Sequence, residues 1–183
     1  MKPALPRFVR DQGGAAAAEF ALWAVVLIAP LASVIDLGVF AFQAMQVHAA
    51  AQAGAQAART VCRPYTPPFT SSCSGLGAAV TNGVGTTTLG SNVTVDAGYP
   101  KEGYYCANGS NALTLIGSTG TVGAPPSKPN PYTCNSVVSG SSALPGSYLQ
   151  VKANFTYAPL FGSISVGQLL PTTITQTAWI RLQ

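Results

Sequence analysis

The sequence predicts an α+β fold in which one long apolar helix emerges from a membrane and packs on a small antiparallel β-sheet. Three observations lead to this prediction. The run from Ala15 to Phe42 carries only two charges, an alanine-rich stretch follows it, and two C-terminal segments alternate apolar with polar residues. A loop-rich insertion, stapled by disulfides, completes the predicted fold.

The apolar run is long enough to cross a bilayer, which takes about 20 residues of helix. A buried core helix is the alternative, but the run shows no polar periodicity. Lys2, Arg7 and Arg10 precede the run, and the positive-inside rule keeps such a flank in the cytoplasm. We therefore expect a cytoplasmic leader at residues 1–14, a transmembrane helix at 15–42, and an extracytoplasmic remainder.

Beyond the span, residues 43–60 are dominated by Ala and Gln, which are good helix formers, so the helix should continue outward. Pro64 should end it, because proline lacks an amide hydrogen and disfavours helix in the preceding residue. Small residues recur at helical spacing on this extension at positions Ala44, Ala51, Ala55 and Ala58. Such a stripe suits close packing on the chain's own sheet or on another helix.

Residues 61–183 are expected to form a β-rich head. Residues 149–157 and 173–182 alternate apolar and polar side chains, the period of a half-buried strand. The link between them permits an antiparallel pair. Residues 64–147 are rich in Gly, Pro, Ser, Thr and Asn, and we interpret them as an irregular insertion with short strands, such as those at 92–95 and 113–116.

All four cysteines follow the apolar run; they are Cys62, Cys73, Cys106 and Cys134. An even number on one side of a membrane predicts two disulfides in an oxidising compartment. Three connectivities are possible, and short loops close most readily, which favours Cys62–Cys73 with Cys106–Cys134. Metal sites use C-x₂-C pairs or histidine partners, so we predict no metal site and no cofactor.

The order of residues at the start of the helix indicates processing. A basic leader ends in Gly13-Gly14, alanines follow, and Glu19 then lies in the apolar run. Burying a carboxylate in lipid costs free energy, so an acidic residue at this position indicates a function. A cut after Gly14 would make Glu19 the fifth residue, able to pair with the new ammonium of Ala15. The alternatives are that Glu19 reaches the lipid headgroups, or that an ordinary signal peptidase cuts within residues 49–58.

The run GGAAAAEFAL from Gly13 to Leu22 resembles the start of TadE-like pseudopilins of tight-adherence (Tad/Flp) type IV pilus systems. The segments Ile35–Gly38 and Val47–Arg59 are similar to the same family. Ala15 departs from the Phe or Met of better-known pilins, and Pro30 interrupts the helix. The resemblance implies a pilin-like fold, cleavage between Gly14 and Ala15, and a single-pass protein of the bacterial inner membrane with a periplasmic head.

The same resemblance implies a minor pilin or pseudopilin whose partners are a prepilin peptidase, other pilins and membrane lipid. It also implies charge pairing in assembly by Glu19 and Asp36. From its position alone, Asp36 either reaches water at the outer end of the span or pairs with a cation on another subunit. Such a protein either initiates the filament or joins it.

Composition argues against other classes of function. The net charge of +4 is scattered, with no basic cluster for nucleic acid. Asp96 and Glu102, the acids of the head, are expected on a loop without a histidine nearby, and the single His48 has no catalytic partner in sequence. We therefore predict no enzyme, no catalytic residue and no small-molecule substrate. The alternative function is an unprocessed, membrane-anchored binding or adhesion module.

Overall fold

The computed structural model describes residues 13–110 and 112–183 of the chain. The predicted leader therefore lies outside the described residues, except for Gly13 and Gly14. The chain divides into two compact units. The first consists of Met1–Phe40 and Ala158–Pro171, and the second of Ala41–Tyr157 and Thr172–Gln183.

Helix α1 runs from Gly13 to Cys62 and contributes residues to both units. It covers the predicted span and its predicted extension without a break. Pro30 lies inside the helix, a position that membrane helices tolerate better than exposed helices in water. The helix ends shortly before Pro64, as expected from the missing amide hydrogen of that proline.

In the first unit, residues 158–171 form a loop that lies against α1 and is called the docked loop. It contains two short 3₁₀ turns, Gly162–Ile164 and Val166–Leu169. The hydroxyl of Ser165 accepts a hydrogen bond from the amide of Gly167 and so begins the second turn. Such caps satisfy amide groups that a helix terminus leaves without partners.

The second unit is built on a five-stranded antiparallel sheet. Its strands are β1 (Val93–Val95), β2 (Lys101–Ala107), β3 (Leu113–Thr121), β4 (Gly146–Thr156) and β5 (Thr173–Arg181). Strand β4 is central: β5 pairs along one side, β2 and β1 pair along the other, and β3 pairs with the outer edge of β2. The predicted pairing of the two C-terminal segments is confirmed, and Leu149, Val151 and Ala153 of β4 face the core.

Two further helices, α2 (Phe69–Ser72) and α3 (Leu76–Val84), complete the second unit. Helix α3 crosses α1 very closely: a Cβ built on Gly83 would lie 2.9 Å from both the Ala57 Cβ and the Gly54 Cα. A Cβ on Gly54 would meet Val151 of β4 at 3.4 Å. The small-residue stripe of α1 therefore packs against the chain's own sheet and α3, with Ala51, Ala55 and Ala58 buried.

Residues 64–147 are more regular than predicted. Helix α3 was missed because Gly77 and Gly83 lower the helix propensity of a nine-residue segment. Contact with α1 compensates for that propensity, a tertiary effect that local patterns do not carry. Strand β2 was also missed, because buried residues follow one another along it without the alternation that marks a half-buried strand. Strand β3 extends past the predicted 113–116, where few of its side chains are buried.

Two disulfides join the cysteines in the sequence-local pairing. Cys62, at the end of α1, bonds to Cys73 directly after α2. Cys106 of β2 bonds to Cys134, which begins a short 3₁₀ turn. The long apolar helix, the antiparallel sheet and the two disulfides are thus the parts of the predicted fold that the structure contains.

Candidate functional site

The N-terminal part of α1 presents apolar side chains outward. In its most apolar 18-residue window, only 11% of the residues are buried within the chain. The exposed side chains include Phe20, Leu22, Trp23, Val25, Val26, Leu27, Ile28, Leu31 and Val34. A core helix of a soluble protein would be covered on at least one face. Within the described residues, α1 is the one helix long and apolar enough to cross a membrane.

The predicted cleavage site lies at the first turn of this helix. Gly14 is exposed, and a Cβ built on it would meet no atom within 4 Å. Glu19 is also exposed and lies one helical turn beyond Ala15. The side chain of Ala15 lies outside the described residues. Cleavage between Gly14 and Ala15 stays a prediction.

Asp36 is fully buried, in contrast to Glu19. Its carboxylate accepts hydrogen bonds from the backbone amides of Leu160, at 2.8 Å, and Phe161, at 3.4 Å, and from the hydroxyl of Ser165. The docked loop approaches so closely that a Cβ on Gly167 would lie 2.6 Å from the Asp36 Oδ2.

The burial of Asp36 differs from the expectation that its carboxylate reaches water at the outer end of the span. The carboxylate does not reach water, and the donors described are supplied by the chain itself rather than by another subunit. A charge in low dielectric needs such donors or a counterion, and backbone amides with a hydroxyl satisfy its oxygens. Pairing of Asp36 with a cation on another subunit stays a prediction.

Glu102 lies in β2, not on the expected loop, and it is fully buried. Its Oε1 accepts from the amide of Phe69 at 2.9 Å and from the hydroxyl of Ser147 at 2.8 Å. Its Oε2 accepts from the amide of Thr70 at 2.8 Å and from the Thr70 hydroxyl at 2.9 Å. Glu102 thereby caps the first amides of α2 and ties them to β4, which is a structural task.

Asp96, after β1, forms an ion pair with Lys152 of β4 at 2.7 Å and accepts a hydrogen bond from Asn154 at 2.8 Å. The hydrogen bond from Lys152, followed by that from Asn154, lowers the pKa of Asp96 below its ordinary value. The same contact raises the pKa of Lys152. Both carboxylates of the head therefore hold neighbouring segments together and do not converge on a common site.

A shallow cleft of about 380 Å³ lies on the head. Its lining includes Tyr104, Tyr132, Lys128 and Arg181. The two tyrosine rings meet edge to face at 5.7 Å, and the Lys128 ammonium lies 4.4 Å from the centre of the Tyr132 ring. Burial raises the pKa of both phenols. They stay neutral at physiological pH, so the cleft offers cations and aromatic surface but no activated nucleophile.

The described residues contain no cluster of side chains suited to histidine catalysis or to metal binding. His48 is exposed on the surface of α1. Within residues 13–110 and 112–183, no three His, Cys, Asp or Glu side chains lie close enough together to hold a metal ion.

Comparison with known families bears on the helix. Residues 14–56 match the family model described as TadE-like protein. Over these residues the chain is similar to TadE-like proteins. The match begins at Gly14 and covers the apolar run and most of the alanine-rich extension, so the predicted resemblance to TadE-like proteins of Tad pili is confirmed. No curated protein and no solved structure matches the chain.

The docked loop beside the TadE-like region was not anticipated from sequence. The sequence predicts only a link between two strands from Pro159 to Pro171, although this segment carries no charge. An uncharged, apolar connection of this length on a polar head was the available signal. Its attachment to Asp36 depends on contacts across more than a hundred residues, which local patterns do not reveal.

Proposed function

We propose that the chain is a minor pilin or pseudopilin of a Tad-type pilus, cut between Gly14 and Ala15 by a prepilin peptidase. The TadE-like match of residues 14–56, on a helix whose apolar side chains point outward, carries this proposal. Such a surface suits lipid before assembly and neighbouring helices in a filament. The role is structural: the chain is the substrate of an enzyme and performs no chemistry itself.

Glu19 is the residue that links processing to assembly. A carboxylate within a membrane helix costs about 3 kcal/mol or more when unpaired. Cleavage creates an ammonium on Ala15, one helical turn from Glu19, and that ammonium or the one on an adjacent subunit neutralises the carboxylate. Each subunit then enters the bundle with its two charges paired.

Orientation follows from two separate features. The basic residues Lys2, Arg7 and Arg10 precede the helix, which favours a cytoplasmic N-terminus. The disulfides of the head favour an oxidising compartment. We therefore place the chain in the inner membrane with a periplasmic head. Protease added to spheroplasts should degrade the head and leave a protected helix fragment, and full protection of the head would contradict this orientation.

Processing is tested by the mass of a C-terminally tagged chain in cells with and without the peptidase. We expect the loss of residues 1–14 only when the peptidase is present, and no loss in a Gly14→Leu variant. Gly38→Leu is the matched control, because a Cβ at either glycine meets no atom within 4 Å. An unchanged mass for the natural chain in both strains would refute the proposal.

Assembly is tested by Glu19→Gln. This variant should still be cut and inserted, because lipid accepts the neutral amide, but piliation should fall sharply when the ammonium loses its partner. The matched control is Glu19→Asp, which keeps the charge and should retain part of the piliation. Normal piliation by Glu19→Gln would contradict the pairing role.

The tyrosine-lined cleft favours one second candidate, an unprocessed membrane-anchored binding module. Two cations and two tyrosines on one surface suit an anionic or aromatic group of a ligand. A Lys128→Ala, Tyr132→Ala variant separates the two functions. Lost surface adhesion with normal piliation, together with an uncut leader in the natural chain, would favour the binding module.

A further inference from the structure

The docked loop, residues 158–171, has a composition unlike that of the rest of the head. It carries no charged residue. Five of its apolar side chains are exposed, and they are Leu160, Phe161, Ile164, Val166 and Leu169. Leu169 is 85% exposed. So much apolar surface on a short segment marks a contact with lipid or protein rather than with water.

The loop is fixed to α1 at two points. The Asp36 carboxylate accepts hydrogen bonds from the amide of Leu160 and from the hydroxyl of Ser165. One helical turn earlier, the Ser33 hydroxyl oxygen accepts a hydrogen bond from the amide of Val166 at 3.2 Å. These contacts hold the loop at a defined level on the helix. Taking 15–42 as the span, Asp36 and Ser33 lie about 11 Å and 7 Å from its centre, at 1.5 Å per residue.

That level falls within the hydrocarbon layer of a bilayer, which extends roughly 15 Å to each side of its centre. Non-helical backbone is tolerated at such depth only when its polar groups have partners in the protein. The loop meets this condition at six amides. Their donors are Leu160, Phe161, Ile164, Val166, Gly167 and Leu170, and their acceptors are Asp36, Ser33, Ser165 and carbonyl groups of the loop itself.

We propose that the docked loop inserts into the leaflet on the head side of the membrane and acts as a second anchor beside the helix. The inference rests on the proposed membrane insertion of α1. The occupant is lipid because the exposed loop side chains continue the apolar surface of the span at the same level, and because no charge on the loop offers a protein partner an ion pair. Asp36 serves as the tether that keeps the loop's amides satisfied there.

The test places one fluorescent probe at a time on the full chain, in vesicles of phosphatidylethanolamine and phosphatidylglycerol. The native cysteines are disulfide-bonded, so NBD attaches to a single new cysteine. The positions are Leu169→Cys on the loop, Val26→Cys on the span and Ser139→Cys on an exposed turn of the head. Each probe is quenched from lipid by doxyl-labelled acyl chains and from water by iodide.

We expect the Leu169 probe to behave like the Val26 probe, with iodide quenching at least about twofold weaker than at Ser139 and stronger doxyl quenching. Iodide quenching at Leu169 equal to that at Ser139, with Val26 protected, would overturn the loop anchor alone. Iodide quenching at Val26 as well would overturn the span and the proposed function with it. Protection of Leu169 from iodide without doxyl quenching, rising with protein density, would indicate a second copy instead of lipid.

A second variant tests the tether. Asp36→Asn replaces one accepting oxygen by an amino group, so the loop loses at least one of its hydrogen bonds to α1. Iodide quenching of the Leu169 probe should rise at least about twofold, while the Val26 probe stays unchanged. An unchanged Leu169 probe in Asp36→Asn would refute the tethering role of Asp36.

Discussion

Replacement of Glu102 by Gln should destabilise the head severely, although the two side chains have nearly the same shape. The two oxygens of Glu102 accept four hydrogen bonds, from Phe69, Thr70 and Ser147. Glutamine keeps one accepting oxygen and presents an amino group where the other stood. Whichever oxygen is lost, one backbone amide then faces a donor, while the hydroxyl on that side can turn and accept from the new amino group.

The magnitude follows from the number of bonds. A hydrogen bond to a charged group contributes about 1.5–3 kcal/mol, and a buried donor left without a partner costs a similar amount. One such bond is removed outright and the remaining bonds lose their charged acceptor, so the free energy of unfolding should fall by about 2–4 kcal/mol. A typical domain has only about 5–15 kcal/mol in total, so this loss is a large share of its stability.

The assay is guanidinium unfolding of the full chain in detergent micelles, followed by tryptophan fluorescence. Trp179 reports on the sheet because its ring packs edge-on against Tyr105 at 5.3 Å. Ser147→Ala is the matched control: it removes one of the four donors and leaves the carboxylate in place, so it should cost only about 1–2 kcal/mol. A loss below about 1 kcal/mol in Glu102→Gln would refute the capping role of this carboxylate.

Three further predictions follow from the second unit. Gly83→Ala should lower the free energy of unfolding by about 1–3 kcal/mol, because its Cβ would lie 2.9 Å from the Ala53 carbonyl oxygen. Gly77→Ala is the control in the same helix: its Cβ would have its nearest neighbour at 3.9 Å, so thermal unfolding should show a neutral or slightly stabilising effect. Replacing both cysteines of a disulfide by serine should lower the free energy of unfolding by about 2.8 kcal/mol for Cys62–Cys73 and about 3.6 kcal/mol for Cys106–Cys134. The second loss is larger because the closed loop is longer, with a separation of 28 residues against 11. The reverse order in denaturant titrations would contradict this account. The lowered pKa of Asp96 means that its ion pair stabilises the fold above about pH 4 and that this stabilisation is lost at lower pH. In Asp96→Asn the free energy of unfolding should therefore fall less steeply as the pH is lowered below about 4. Equal acid sensitivity of the two proteins would refute this prediction.

Sequence patterns were informative where a single local rule decided the structure. The apolar run without polar periodicity predicted α1, and Pro64 placed its end. Strict alternation predicted β4 and β5, because one buried face forces a period of two. The sequence-local disulfide pairing also agrees with the structure.

Local rules failed where distant contacts decide. Gly77 and Gly83 argued against α3, yet glycine is what permits its close crossing with α1. Glu102 looked like a stray acid on a loop, and its donors come from segments 32 to 45 residues away. Asp36 could not be matched with its loop, since more than 120 residues separate Asp36 from Leu160. In each case the partner is fixed by topology and not by neighbours in sequence.

The central place of β4 governs the order in which the head can be completed. Strand β1 and helix α3 are synthesised well before Gly146, yet the sheet partner of β1 is β4. The β2–β3 hairpin can form early because its strands are close in sequence, and the Cys106–Cys134 bond then shortens the path to β4. Until β4 emerges, the inner edge of β2 remains open, and an unpaired edge of this kind exposes the incomplete head to aggregation.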